Sequence, residues 1–276
     1  MKNIGEVLQL STAFLEERGV QRARRLIEEL LSFKLQMKRL ELYMHFDRPV
    51  DEKELAALRD PLKRLAKEEP IEYILGEVEF CGCKLSIDSR VLIPRPETEI
   101  FAERILNTIQ GPVVWDLCTG SGCLGIALKK RRPELDVTLS DLSSEALALA
   151  AQNATENQVK VSLVQGDLLA PFQGQQADVV VCNPPYISAS EYLNLEPSVR
   201  NFEPMMALVS GERGTEFYER LARDLPLFLK DRAQVFLEIG SGQGLAVQKI
   251  FSGGPWIRAE VEKDWAGHDR FFFLEK

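Results

Sequence analysis

"VVWDLCTGSGCLGIALKK", residues 113–130, runs from an apolar strand through a glycine-rich turn into a helix. Gly120, Gly122 and Gly125 follow the strand at GxGxxG spacing, where glycines let the backbone turn tightly and approach a ligand. Working outward, strands and helices alternate from residue 112 onward. "DVTLSD" reads as a strand, "SEALALAAQNATEN" as a helix, "KVSLVQGD" and "ADVVVCN" as strands, and "QVFLEIG" and "FFFLEK" complete the set. The alternation predicts an α/β fold with a doubly wound, mainly parallel sheet. Ligands of such sheets sit at the carboxyl ends of the strands.

The glycine loop alone is a weak signal, because a plain strand-to-helix turn also needs it. Asp141 strengthens it. This residue ends the next strand about twenty positions beyond Gly120, where an acid binds ribose hydroxyls. The loop does not choose between a nicotinamide dinucleotide and S-adenosylmethionine, since both carry an adenosine ribose. Asp167, in "QGDLL", stands where it could accept an adenine amino group, with Leu168 covering the ring; a solvated strand-end acid fits that local pattern equally. A second cluster, "EIGSGQG" at 238–244, has too little sheet after it for a second nucleotide site and reads as a turn after the fifth strand.

Asn183-Pro184-Pro185-Tyr186 ends the fourth strand. Consider a planar NH2 group attacking a methyl sulfonium. Its lone pair is conjugated, and as the new C–N bond forms, positive charge grows on nitrogen. The Asn183 side-chain oxygen and the Pro184 carbonyl supply two acceptors that help most in the transition state. The prolines add rigidity and no competing N–H, and Tyr186 offers a π face to the growing charge. A nicotinamide dehydrogenase has no evident use for this tetrapeptide.

Around these motifs the chain is ordinary for a soluble protein: 276 residues, 45% hydrophobic and 28% charged. No apolar run approaches membrane-spanning length and no signal-peptide pattern opens it. Five cysteines without a CxxC pair, and two distant histidines, give no metal-site spacing and fit a reducing cytoplasm. Net charge is −8. Residues 1–70 hold 14 basic and 13 acidic residues, so the excess acid lies in the remainder, opposite in sign to a phosphate-gripping surface. Residues 1–70 read as helices, with Asp51 as an N-cap and Glu54 three residues on. Residues 77–93 read as a hairpin.

Together, "DLCTGSG" and NPPY resemble the Asn/Asp-Pro-Pro-Tyr amino methyltransferases. "EPIEYILGEVEFCG", "VLIPRPETE", "VCNPPYI", "FEPMMALVSGERGTEFYERL" and "DWAGHDRFF" narrow this: the chain is similar, from about residue 15 onward, to the peptide-chain release factor glutamine N5-methyltransferase family. The resemblance implies a helical substrate-docking domain (1–75), a β-hairpin linker (76–93) and a Rossmann-like S-adenosylmethionine-dependent catalytic domain (94–276). It implies methylation of the glutamine of the Gly-Gly-Gln motif in class I release factors, leaving S-adenosylhomocysteine. It places Cys118, Thr119, Gly120, Ser121 and Gly122 in the cofactor loop, Asp141 on the ribose and Leu168 beside the adenine. Asn183 would touch cofactor and substrate, with Pro184, Pro185 and Tyr186 completing the glutamine pocket. Cys118 stands where the family usually has Gly, and Leu168 replaces a common aromatic. A cytoplasmic monomer without metal, membrane or nucleic-acid partner is expected. The main rival is a DNA or RNA adenine N6-methyltransferase, whose flipped base would use the same acceptors; an NAD-dependent oxidoreductase and a non-catalytic cofactor-binding module are weaker.

Overall fold

A computed structural model describes residues 2–276. The chain divides into two compact units, one of residues 1–76 with Pro197–Phe202, the other of Glu77–Glu196 with Glu203–Lys276.

The first unit opens with five helices: α1 (Ile4–Glu16), α2 (Ala23–Leu35), α3 (Arg39–Met44), α4 (Glu52–Leu65) and α5 (Ile71–Leu75). Apolar residues at helical spacing put Ile4, Leu15, Ile27, Leu31, Leu42 and Leu65 into one core. Glu28 is buried with them. Arg39 Nε (2.6 Å), Arg24 Nε (3.0 Å) and the Tyr43 hydroxyl all donate to its carboxylate, which holds it below the ordinary range against the opposing effect of burial. The expected N-cap of α4 is present in both halves. Glu54 N donates to Asp51 Oδ1 at 2.8 Å, and Asp51 N to Glu54 Oε2 at 2.9 Å.

The second unit begins with the hairpin of β1 (Glu77–Phe80) and β2 (Cys83–Ser86); its pairing stops at Ser86, short of the expected 77–93, and Phe80, Cys83 and Leu85 are buried in this unit's own core. Then come α6 (Pro96–Thr108), β3 (Val113–Leu117), α7 (Cys123–Arg131), β4 (Asp136–Asp141), α8 (Ser144–Glu156), β5 (Ser162–Gln165) and β6 (Ala177–Cys182). A short stretch follows: β7 (Ile187–Ser188), α9 (Ala189–Tyr192), α10 (Pro197–Phe202, counted with the first unit), α11 (Met205–Leu208) and β8 (Val209–Gly211). The chain closes with α12 (Glu216–Phe228), β9 (Leu229–Glu238), α13 (Gly244–Phe251), β10 (Arg258–Lys263) and β11 (Asp269–Glu275).

The seven-stranded sheet has the order β10-β11-β9-β6-β3-β4-β5, with β3, β4, β5, β6 and β9 parallel and β11 alone reversed, antiparallel to both of its neighbours, β9 and β10. The predicted α/β architecture is therefore observed. Period-two alternation feeds both faces: Val114, Val179 and Val181 point into one core layer, and Trp115, Val180 and Cys182 into the other. From β3 the chain steps outward through β4 to β5, then returns to the other side of β3 as β6. The strand order reverses between β3 and β6, the place where such sheets open a ligand crevice. Leu117 pairs with Cys182, so the residues that follow, Cys118 and Asn183, leave the sheet side by side.

Two differences from the sequence reading have simple causes. β10, "RAEVEK", was not anticipated because its charges mask the alternation, as suits an outer strand. β5 is shorter than "KVSLVQGD" because it is also an edge strand, paired only to Thr138–Asp141.

Asp51→Ala should cost about 1 kcal/mol of stability, the usual worth of an N-cap. Urea unfolding measures it, and cofactor affinity should be unchanged.

Candidate active site

At the switch point the glycine loop is braced by one carboxylate. Asp116, the penultimate residue of β3, is 1% exposed. Its Oδ2 accepts from Thr119 Oγ1 at 2.6 Å and from Gly125 N at 2.9 Å, pinning the turn and the first turn of α7 to the strand. Gly125 must lack a side chain, because a Cβ there would stand 2.2 Å from Leu139 and 3.0 Å from Asp116 Oδ2. The other oxygen, Asp116 Oδ1, is buried without a hydrogen-bond partner. Burial pushes this carboxyl up to about 7.

Asp141 braces the loop from β4. Its Oδ2 accepts from Gly120 N and its Oδ1 from Ser143 N, both at 2.9 Å. Burial raises its pKa against those two bonds. Each oxygen keeps a lone pair for a further donor. Gly120, at φ +54°, has open space where a Cβ would be, so the backbone offers a bare surface.

These groups line a cavity with Cys118, Thr119, Gly120, Ser121, Asp141, Asp167, Leu168, Asn183 and Pro185 among its walls, together with Asp116. All lining residues belong to the second unit. Gly122, Pro184 and Tyr186 are not among them. Gly122 turns inward, where a Cβ would press on Ile126 and Leu139. Pro184 is buried and Tyr186 half-buried just beyond Asn183. Burial pushes the Tyr186 hydroxyl up to about 12, keeping it neutral at ordinary pH. Asp167 is exposed and paired with Arg220 at 2.7 Å. Leu168 is buried at φ +50° and Cys118 sits at φ +55°. The left-handed backbone at residue 118 is a conformation that glycine adopts without strain, as the resemblance to the family's glycine there implies.

The residues matching known proteins extend over nearly the whole chain. A model described as "Methyltransferase small domain" matches residues 95–196, and one described as "PrmC N-terminal domain" matches residues 6–76. A protein of Chlamydia trachomatis serovar L2 named release factor glutamine methyltransferase is 41% identical over 98% of this chain and 93% of its own length. Proteins of the same name from Geobacter sulfurreducens (38%; 97% of this chain, 94% of its own) and Bacillus subtilis (37%; 98% and 96%) are similar throughout. This chain belongs to the release factor glutamine methyltransferase family. At the level of fold, a methyltransferase crystal structure from Pyrococcus furiosus superposes with a TM-score of 0.55 at 16% identity, covering 79% of this chain and 98% of that one.

The family's cofactor, S-adenosylmethionine, carries an ammonium and a sulfonium beside an adenosine, and the residues present fit it. Asp116 Oδ1 is an unpaired buried acceptor on the cavity wall, suited to an ammonium. Gly120 leaves room for close approach, Asp141 has free lone pairs, and Leu168 offers an apolar wall. Asp116 escaped the sequence reading although "WDLCTGSG" contains it, because an acid just inside a strand end reads as structural until its unpaired oxygen is seen. Arg95 and Glu203 were also missed. They form an ion pair at 2.5 Å between a half-buried guanidinium and a buried carboxylate, and Glu203 Oε2 accepts from Ile93 N at 3.1 Å, tying "PRPETE" to "FEP".

Two outcomes follow for cofactor binding. Burial pushes the Asp116 carboxyl up to about 7, against an ordinary value of about 3.9. The cost of burying its ionised form is absent below about pH 4 and fully felt above about pH 7. A cationic ligand that pairs with the ionised form must displace a proton at pH 6, so affinity should be roughly tenfold weaker at pH 6 than at pH 8. Calorimetry in buffers of different ionisation enthalpy reads both the affinity and the proton, and Asp116→Asn should flatten the profile. Asp141→Ala should weaken cofactor binding, and unchanged affinity would remove it from the ribose role.

Proposed function

We propose that this chain transfers a methyl group from S-adenosylmethionine to the side-chain amide nitrogen (N5) of the glutamine in the Gly-Gly-Gln motif of class I peptide-chain release factors. The observation that carries the reading is the exit of Asn183-Pro184-Pro185-Tyr186 from β6 directly beside the glycine loop leaving β3. Family membership over nearly the full chain supports a protein glutamine rather than a nucleic-acid adenine as acceptor, as does the net charge of −8.

When bound, S-adenosylmethionine supplies a methyl group on a cationic sulfur, open to attack by nitrogen. Asp116 and Asp141 would hold the cofactor's ammonium and ribose hydroxyls, and Leu168 would cover its adenine. On the substrate side, the difficulty is a conjugated lone pair. As the nitrogen acquires positive charge, its two hydrogens become stronger donors. Asn183 Oδ1 and the Pro184 carbonyl accept them, and both bonds strengthen towards the transition state. The neutral Tyr186 ring presents its face to the same charge. The proton lost from nitrogen is acidic enough to leave to water, so no strong base is needed. Glycines flanking the target glutamine let its backbone enter a proline-walled pocket without side-chain bulk.

Residues 1–75 serve in this reading as the surface that docks the intact release factor, since their charge is balanced and their helices amphipathic. The hairpin region 76–93 links them to the catalytic part, residues 94–276. The chain works as a cytoplasmic monomer, and no described helix is long and apolar enough to cross a membrane.

Asn183→Ala should lower kcat about 10²–10³-fold while the fold survives, the usual loss for one transition-state hydrogen bond. In the substrate, Gln→Glu in the Gly-Gly-Gln motif removes the nucleophilic nitrogen. Mass spectrometry of release factor incubated with enzyme and cofactor should show methylation of the natural protein and none of the substituted one. Methyl transfer to the substituted protein at the original rate, or to DNA instead, would overturn the assignment.

A further inference from the structure

The second glycine cluster, "EIGSGQG", does lie in the turn after β9, but one residue in it reaches back to the tetrapeptide. The Gln243 carboxamide is occupied at both ends. Its Oε1 accepts from Gly240 N at 3.0 Å, and its Nε2 donates to the Tyr186 carbonyl at 2.8 Å and to the Gly214 carbonyl at 3.3 Å.

Two glycines make this approach possible. Gly214 has φ +80°, and a Cβ there would lie 2.6 Å from the Tyr186 carbonyl oxygen and 3.0 Å from Gln243 Nε2. A Cβ on Gly240 would lie 3.2 Å from Tyr186 Cδ2 and 2.8 Å from Gln243 Oε1. Tyr186 is therefore packed against two side-chain-free turns, with its carbonyl held by the one carboxamide between them. The residues on either side of the tetrapeptide are fixed too: Cys182 ends β6, and Ile187–Ser188 pair with β8. The Gly240 turn is itself held, because the preceding Glu238 accepts from Thr98 Oγ1 through its side chain (2.8 Å) and from the Tyr218 hydroxyl through its carbonyl (3.0 Å).

The bridge needs an acceptor and a donor at the end of one side chain of this length. A carboxylate would set negative charge against two carbonyls, and an aliphatic chain would leave all three backbone groups without their partner. We propose that Gln243 is a positioning residue for amide methylation: by holding the Tyr186 carbonyl it fixes the aim of the Tyr186 ring and of the Asn183 and Pro184 acceptors. This rests on the reading of Asn183–Tyr186 as the amide site.

The test compares wild type, Gln243→Leu and Gln243→Glu in steady-state methylation of an intact release factor, with cofactor binding measured by calorimetry. Gln243→Leu should lower kcat at least tenfold and leave cofactor affinity within about twofold. In Gln243→Glu the protonated acid regains an O–H donor for Tyr186 while its other oxygen still accepts from Gly240. Its activity relative to wild type should therefore rise as pH falls from 8 to 6. The charged groups of the Gly214 turn, Arg213 with Glu216 and Glu219, are paired with one another, and the buried Glu238 carboxyl, pushed up to about 7, and Asp269 beside Gly244 are present in all three proteins, so wild type and Gln243→Leu carry their titration as the reference. Wild-type kcat in Gln243→Leu overturns the inference, as does a flat activity ratio for Gln243→Glu or a parallel loss of cofactor affinity. Failure of the wild-type enzyme itself to methylate the release factor would instead defeat the functional reading, and the inference with it.

Discussion

The buried Asp116 carboxylate is the constraint on which the cavity depends. One of its oxygens closes the glycine loop through Thr119 and Gly125, and the other is left without a partner on the wall of that same cavity. A buried acceptor without a donor is costly, and a fold that retains one keeps its binding site electrostatically unfinished. The same desolvation that raises the carboxyl towards neutrality makes an incoming cation worth more there than at the surface. Loop shape and the polarity of the cavity wall thus meet in a single side chain, and the absence of a side chain at Gly125 is what lets that carboxylate sit so close to α7.

Sheet topology supplies the second half of the site. Because the strand order reverses between β3 and β6, the turns after those two strands open beside each other. One carries the glycine loop and the other the Asn183–Tyr186 tetrapeptide, proposed to supply the acceptors for the amide.

The sequence was most legible where the chemistry is local. The strand–turn–helix at 113–130, the acid at 141 and the tetrapeptide at 183–186 each announce themselves within a few residues, and the α/β alternation follows from periodicity. What could not be read depends on distant partners. Gln243 acquires its meaning from a carbonyl 57 residues away. Arg95 meets Glu203 across a separation of 108. Asp116 looks like any acid near a strand end until both of its oxygens are followed. β10 hid behind its own charges, which an edge strand tolerates and a propensity reading does not expect.

The grouping of Pro197–Phe202 with the N-terminal helices has a consequence for how the protein is made. Residues up to 76 are synthesised before the rest of their unit, whose last residue, Phe202, lies 126 positions beyond residue 76. At roughly 5–20 residues per second, the helices wait about 6–25 s for it. During that time the nascent bundle has its own apolar core but not its last helix, while β3, β4 and the glycine loop emerge behind it. Vectorial synthesis therefore completes the first unit only after β6 and its tetrapeptide have emerged, so the order of completion differs from the order of translation.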